Sequence, residues 1–113
     1  MSKRPDLLYF QDILEAGTAI NIYVEGIDFD IFVRDRMRYS AVIREFEIIG
    51  EAVGKLATEL KQAYPDVPWQ DIKDFRNLLV HEYFGVDLEI VWNTIQNDLP
   101  GLLAAVEKME KGN

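Results

Sequence analysis

The chain has no cysteine and a single histidine, His81. The first absence excludes disulfides, zinc–thiolate sites and thiol catalysis, and makes a reducing cytosol the natural compartment. The second argues against a metal-dependent hydrolase, because no cluster of carboxylates near His81 completes a ligand set. Basic residues are scarce too: 12 Lys and Arg stand against 20 Asp and Glu, a net charge of −8. Polynucleotide binders draw most of their affinity from phosphate neutralisation, so the total charge speaks against a nucleic-acid partner. The shortage is uneven, however. Arg34, Arg36, Arg38 and Arg44 lie in one stretch with Asp35 as its only acid. No apolar run approaches the roughly 20 residues that a membrane helix needs. The N-terminal segment carries Lys3 and Arg4, but Gln11, Asp12 and Glu15 interrupt the apolar residues beyond them, unlike a signal peptide. A soluble, cytoplasmic protein is expected.

What is present is helical periodicity. The length of 113 residues suits one domain, 1–113, and about half the residues are apolar, ample for a packed core. A first helix is expected from about Pro5 to Val24, with Ser2 or Asp6 as cap and Gly26 as stop. Its stripe is Ile13, Ala16, Ile20 and Val24, flanked by Leu7, Phe10 and Leu14. Asp28 to Val33 can form a short turn of its own. The clearest helix carries Tyr39, Val42, Phe46, Ile49, Val53, Leu56 and Leu60, spaced alternately three and four apart as in an antiparallel bundle. Gly50 and Gly54, one turn apart within it, suggest that another backbone approaches there. A third helix is expected over Trp69 to about Val80, started by Pro68 and closed before Gly85. Asp87 can cap the last helical region, where Pro100 after Asp98 predicts a kink or two consecutive helices. No alternating strand pattern appears. The fold class is all-α, a four- to five-helix up-and-down bundle.

The stretch from Asp74 to Phe84 holds the candidate chemistry. At about 100° per residue, Ile72, Phe75, Leu78 and Leu79 share a core-facing arc, and Lys73, Arg76, Asn77 and His81 the opposite one. Asn77 and His81 are one turn apart and nearly in line, whereas Arg76 sits about 140° from His81. Tyr83 returns to the edge of Arg76 if the helix lasts that far. A guanidinium offers a fork for phosphate oxygens, an imidazole moves protons near neutral pH, and an amide orients or donates. Arg76 and His81 diverge too far to converge on one atom from a single helix. Two copies related by a two-fold axis would solve this with a composite cleft. The bland alternatives stay open on the residues alone. An Arg–x4–His spacing is common; His81 can be a helix C-terminal residue favoured by the macrodipole, Arg76 can pair with an acid, and Tyr83 and Phe84 can be core aromatics. The arginines between 34 and 44 can be a solvated face.

Arg76-Asn77-Leu78-Leu79-Val80-His81-Glu82-Tyr83 resembles the Arg–x4–His–x–Tyr signature of HepT-like HEPN proteins, including the Asn after the Arg. Glu47-Ile48-Ile49-Gly50-Glu51-Ala52 is similar to the family's Ile-Gly-Glu-Ala helix, and Val86-Asp87 through Val91-Trp92 to Asp98-Leu99-Pro100 to its C-terminal run. The similarity covers nearly the whole chain. One departure is Glu82, where the family often has glycine; it places an acid beside the site. The resemblance implies a prokaryotic toxin of HEPN type: a homodimeric helical bundle acting as a metal-independent endoribonuclease. Its catalytic residues would be Arg76, His81 and Asn77, with no metal or other cofactor; on charge, Lys73, Arg34 and Arg38 are candidate RNA contacts. The resemblance further implies an MNT-type nucleotidyltransferase antitoxin as partner, able to add AMP to Tyr83. The alternative is a non-catalytic HEPN module that binds such a nucleotidyltransferase or a nucleotide.

Overall fold

The computed structural model describes residues 4–82 and 85–112. Seven helices occur among them and no strand: α1 (Asp6–Val24), α2 (Phe29–Arg34), α3 (Arg36–Lys55), α4 (Thr58–Ala63), α5 (Trp69–His81), α6 (Leu88–Asn97) and α7 (Leu99–Gly112). The five longer helices form the expected bundle, and α2 and α4 are six-residue additions at its connections. Ser2, Tyr83 and Phe84 lie outside the described residues.

The scaffold is the α1–α3 pair. α1 buries Phe10, Ile13, Ala16, Ile20 and Val24 along one stripe, and α3 answers with Val42, Phe46, Ile49 and Val53. The two run antiparallel, because Asp6 at the start of α1 reaches Ala57 beyond the end of α3, while Tyr23 near the end of α1 donates to Glu45 at 3.0 Å. The expected N-cap does not form. Pro5 occupies that position with no side-chain bond, and the Asp6 carboxylate accepts instead from the backbone N–H of Ala57 at 3.3 Å. That bond explains a second difference. The α3 seam stops at Lys55, not Leu60, because Ala57 N–H leaves the helical ladder for Asp6; Leu56, extended at φ −65° and ψ 148°, still fills the seam. Leu60 belongs to α4.

The remaining helices close around this pair. Asp28 caps α2 by accepting from Ile31 N–H at 3.0 Å. Phe32 of α2 is wholly buried, with ring contacts to Tyr39 of α3 and Trp92 of α6 at 6.3 and 5.2 Å. α7 lays Leu103 against Gly17 of α1. Asp87 caps α6 through Glu89 N–H at 2.9 Å. At Asp98 the chain breaks into two consecutive helices, and Pro100 falls in the first turn of α7, where a missing N–H costs nothing. No helix among the described residues is long and apolar enough to cross a membrane.

Candidate active site on α5

α5 is placed by its first residue and by α3. The Trp69 indole N–H donates to the carbonyls of Lys61 and Tyr64, both at 3.0 Å, which ties the helix start to the end of α4. Phe75 then meets Phe46 of α3 edge-on, with ring centroids 5.2 Å apart. Leu79 is the one fully buried residue of α5. Ile72 and Phe75 pack partly against the core, as their arc predicts, but Leu78 does not: it is 39% exposed.

Arg76 departs from its predicted place on the solvent arc. It is half-buried against α3, where Gly50 offers no side chain. A Cβ on Gly50 would overlap the Cβ and Cγ of Arg76 and lie 3.6 Å from its Cα. The stem of the arginine therefore fills the space that any other residue at position 50 would occupy. The guanidinium Nε is buried and finds no acceptor among the described residues, and Nη1 approaches the Asn77 side-chain oxygen at 3.4 Å. No acid pairs with Arg76 among those residues, so its charge is left for something else. Burying a cationic donor without a partner is costly. Such a group is a ready receptor for an anion that brings oxygens to it.

Asn77 is half-buried beside Arg76, and His81 is exposed as the last residue of α5, one turn beyond Asn77. The backbone N–H of Glu82 still bonds to Leu78 O at 2.9 Å, so this acid ends the helix directly after His81 and is itself exposed. Lys73 is exposed one turn before Asn77. Arg34 is exposed on α2, whereas Arg38 is held by Asp35 at 3.1 Å, so the two differ in their freedom to meet RNA. Arg38 precedes Gly50 by twelve residues, roughly 18 Å along the α3 axis. The structure thus brings Arg76 and Asn77 together, sets His81 and Lys73 on the same helix, and leaves the arginines at a distance. Tyr83 lies outside the described residues.

Sequence reasoning expected Gly50 and Gly54 to act alike. Only Gly50 is approached, and by the Arg76 stem; a Cβ on Gly54 would meet nothing within 4 Å. The signal for the contact was there, a glycine in mid-helix, but nothing in the one-dimensional pattern says which glycine faces α5. A cleft of about 570 Å³ does not include Arg76, Asn77 or His81. It lies between α5, α3 and the α6–α7 junction, lined by Phe46, Ile72, Phe75 and Leu102, and its ionisable residues are Asp66, Asp71 and Asp98. An apolar cleft rimmed by acids does not suit a phosphate.

Comparison with known proteins gives the family. The model of the ribonuclease HepT-like family matches residues 13–109. The chain belongs to that family. A probable ribonuclease HepT of Thermococcus cleftensis is 38% identical over 109 residues, covering 96% of this chain and 99% of its own. A putative RNase of Methanocaldococcus jannaschii is 36% identical over 107 residues, 95% of this chain and 98% of its own. A putative RNase of Caldanaerobacter subterraneus is 40% identical over 101 residues, 89% and 90% of the respective chains. No solved structure matches the chain.

Proposed function

We propose that this protein is a metal-independent endoribonuclease, the toxin of a HEPN/MNT pair. The observation that carries the reading is the unpaired, half-buried guanidinium of Arg76 on the helix that also presents the only histidine. Arg76 holds the scissile phosphate and stabilises charge as it grows on the phosphorane oxygens; Asn77 orients the guanidinium and a substrate oxygen. The ribose 2′-oxygen bonds to phosphorus as the bond from phosphorus to the 5′-oxygen breaks. His81 takes the proton from the 2′-hydroxyl or supplies the one that the departing 5′-oxygen needs. The products are a 2′,3′-cyclic phosphate and a free 5′-hydroxyl.

The active form in this reading is a homodimer. Arg76 leans onto α3 while His81 projects from the end of α5, so one helix does not bring them to one atom. Leu78, 39% exposed, gives a second copy something apolar to cover. Lys73, Arg34 and Arg38 then steer the flanking RNA. The partner antitoxin is an MNT-type nucleotidyltransferase that silences the site by adding AMP to Tyr83. The added phosphate would occupy the guanidinium and repel RNA. Mass spectrometry after co-expression should find AMP on the peptide that contains Tyr83, and Tyr83→Phe should escape silencing; loss of toxicity without that mass would mean inhibition by binding.

The decisive assay incubates purified protein with RNA and with DNA of the same sequence in excess chelator. RNA should be cut to 2′,3′-cyclic ends, DNA should survive because it lacks the 2′-nucleophile, and His81→Ala should cut neither. Cleavage that stops in chelator, or that persists in His81→Ala, overturns the mechanism. A second reading, a binding module without catalysis, is favoured by Glu82 directly after His81 and by the net charge of −8. It requires binding of nucleotide or nucleotidyltransferase with no RNA cut.

A further inference from the structure

We infer that Gly50 is a positioning residue for Arg76, resting on the reading of Arg76 as the phosphate-binding group. The two helices meet so closely that Cβ and Cγ of Arg76 occupy the side-chain space of position 50. An arginine stem on an open helix face samples several rotamers. Here its first carbons are clamped between the α5 backbone and bare α3 backbone, and Nε is shut away from water. Only the outer nitrogens keep freedom, and one of them already leans toward Asn77 at 3.4 Å. The glycine thus orders the guanidinium before RNA arrives, so ordering does not have to be done in the transition state. Gly54, one turn on, is the internal contrast: it faces open space and positions nothing.

A methyl group at position 50 must push the arginine stem aside. Displacement of about 1 Å at a charge-stabilising group can cost on the order of 100-fold in rate. Because Arg76 stabilises the charge that grows in the transition state as well as holding the phosphate, kcat should fall by more than KM rises. Gly54→Ala should leave kcat, KM and the arginine unchanged, and melting equal or slightly higher.

The experiment compares wild type, Gly50→Ala, Gly54→Ala, Arg76→Gly and Gly50→Ala/Arg76→Gly in RNA-cleavage kinetics. The Arg76 Nε–H resonance in ¹⁵N NMR is recorded alongside for the arginine-containing proteins. Wild type and Gly54→Ala should show an Nε–H protected from solvent exchange; Gly50→Ala should lose that protection along with kcat. In the Arg76→Gly background, which also removes the Cβ that position 50 would meet, Gly50→Ala should bring no further loss. Wild-type kcat and a protected Nε–H in Gly50→Ala, or a full additional loss in the double variant, overturns the inference. If Gly50→Ala does not fold, Arg76→Gly supplies the test. Removing the stem should make Gly50→Ala tolerable, with melting equal to that of Arg76→Gly alone, and failure to restore melting overturns the notch. Because the resonance needs no turnover, a protein that cuts no RNA but loses Nε–H protection in Gly50→Ala refutes the ribonuclease reading and leaves the positioning intact.

Discussion

α1 and α5 are both amphipathic helices packed on α3, yet they are built for different ends. α1 buries five apolar side chains, from Phe10 to Val24, whereas α5 buries Leu79 alone and leaves Leu78 and Val80 exposed. α1 gains further support from α7 through Gly17 and Leu103. α5 rests mainly on α3, through the edge-on Phe46–Phe75 pair and the Arg76 stem over Gly50. The difference teaches that apolar burial is concentrated in α1 and α3, with α7 behind them, while α5 is held by few buried side chains and keeps most of its surface open.

The largest expected effects fall on α5 and on activity alone. His81→Ala should lower RNA cleavage by roughly 10²–10⁴-fold, as loss of a general acid or base does, with no change in melting, because His81 is exposed. Arg76→Ala should lower kcat by about 10²–10³-fold. Its melting should move little, since the packing lost with the stem is offset by removal of a buried donor that lacks an acceptor. Cleavage kinetics and thermal melts on the same samples check both; a variant that unfolds would move its residue from the chemistry to the scaffold.

The next largest effect belongs to the scaffold. Phe46→Ala should destabilise by roughly 3–5 kcal/mol in denaturant unfolding, because a 5%-exposed ring at the α3–α5 contact leaves a cavity. Leu78→Ala, one helix away on an exposed position, should cost under about 0.5 kcal/mol in the monomer. Equal costs at the two positions would erase the contrast between scaffold and α5.

That contrast was partly legible in the residues. Spacing located α1, the short α2, the start of α5 and the split at Pro100, because caps, prolines and apolar periods are local signals. Three features were not local. The seam of α3 pointed on to Leu60, but Asp6, 51 positions away in sequence, takes the Ala57 N–H and ends the helix. The wheel put Leu78 in the core and Arg76 in solvent; the burial of Arg76 depends on Gly50 of another helix, which no wheel of α5 contains. Gly50 and Gly54 looked equivalent until α5 was seen to lie over one of them. Of the candidate residues, the shared helix of Arg76, Asn77 and His81 was legible, since their spacing alone sets them within one helical stretch.

The smallest expected effect tests the scaffold alone. The Tyr23 phenol donates to Glu45, and that bond together with the carboxylate charge raises the tyrosine pKa above its ordinary value of 10.0. A raised folded pKa means that the unfolded chain gives up its proton first. The contribution is therefore complete below pH 10 and is lost as pH rises through the higher folded value. Tyr23→Phe should remove this alkaline loss in melts taken between pH 9 and about 11, with activity near neutral pH untouched. An unchanged alkaline profile would show that the bond does not couple α1 to α3.

The most direct test of a site carried on α5 and completed by a second copy is complementation. Arg76→Ala and His81→Ala protomers with different tags are co-expressed, and the mixed dimer is purified through both tags. Each homodimer should be inactive, whereas the mixed dimer should regain RNA cleavage to within a few-fold of wild type, because one copy supplies the arginine and the other the histidine. A purified mixed dimer as inactive as its parents, or no dimer at all beside an active 13.1 kDa monomer, would contradict it.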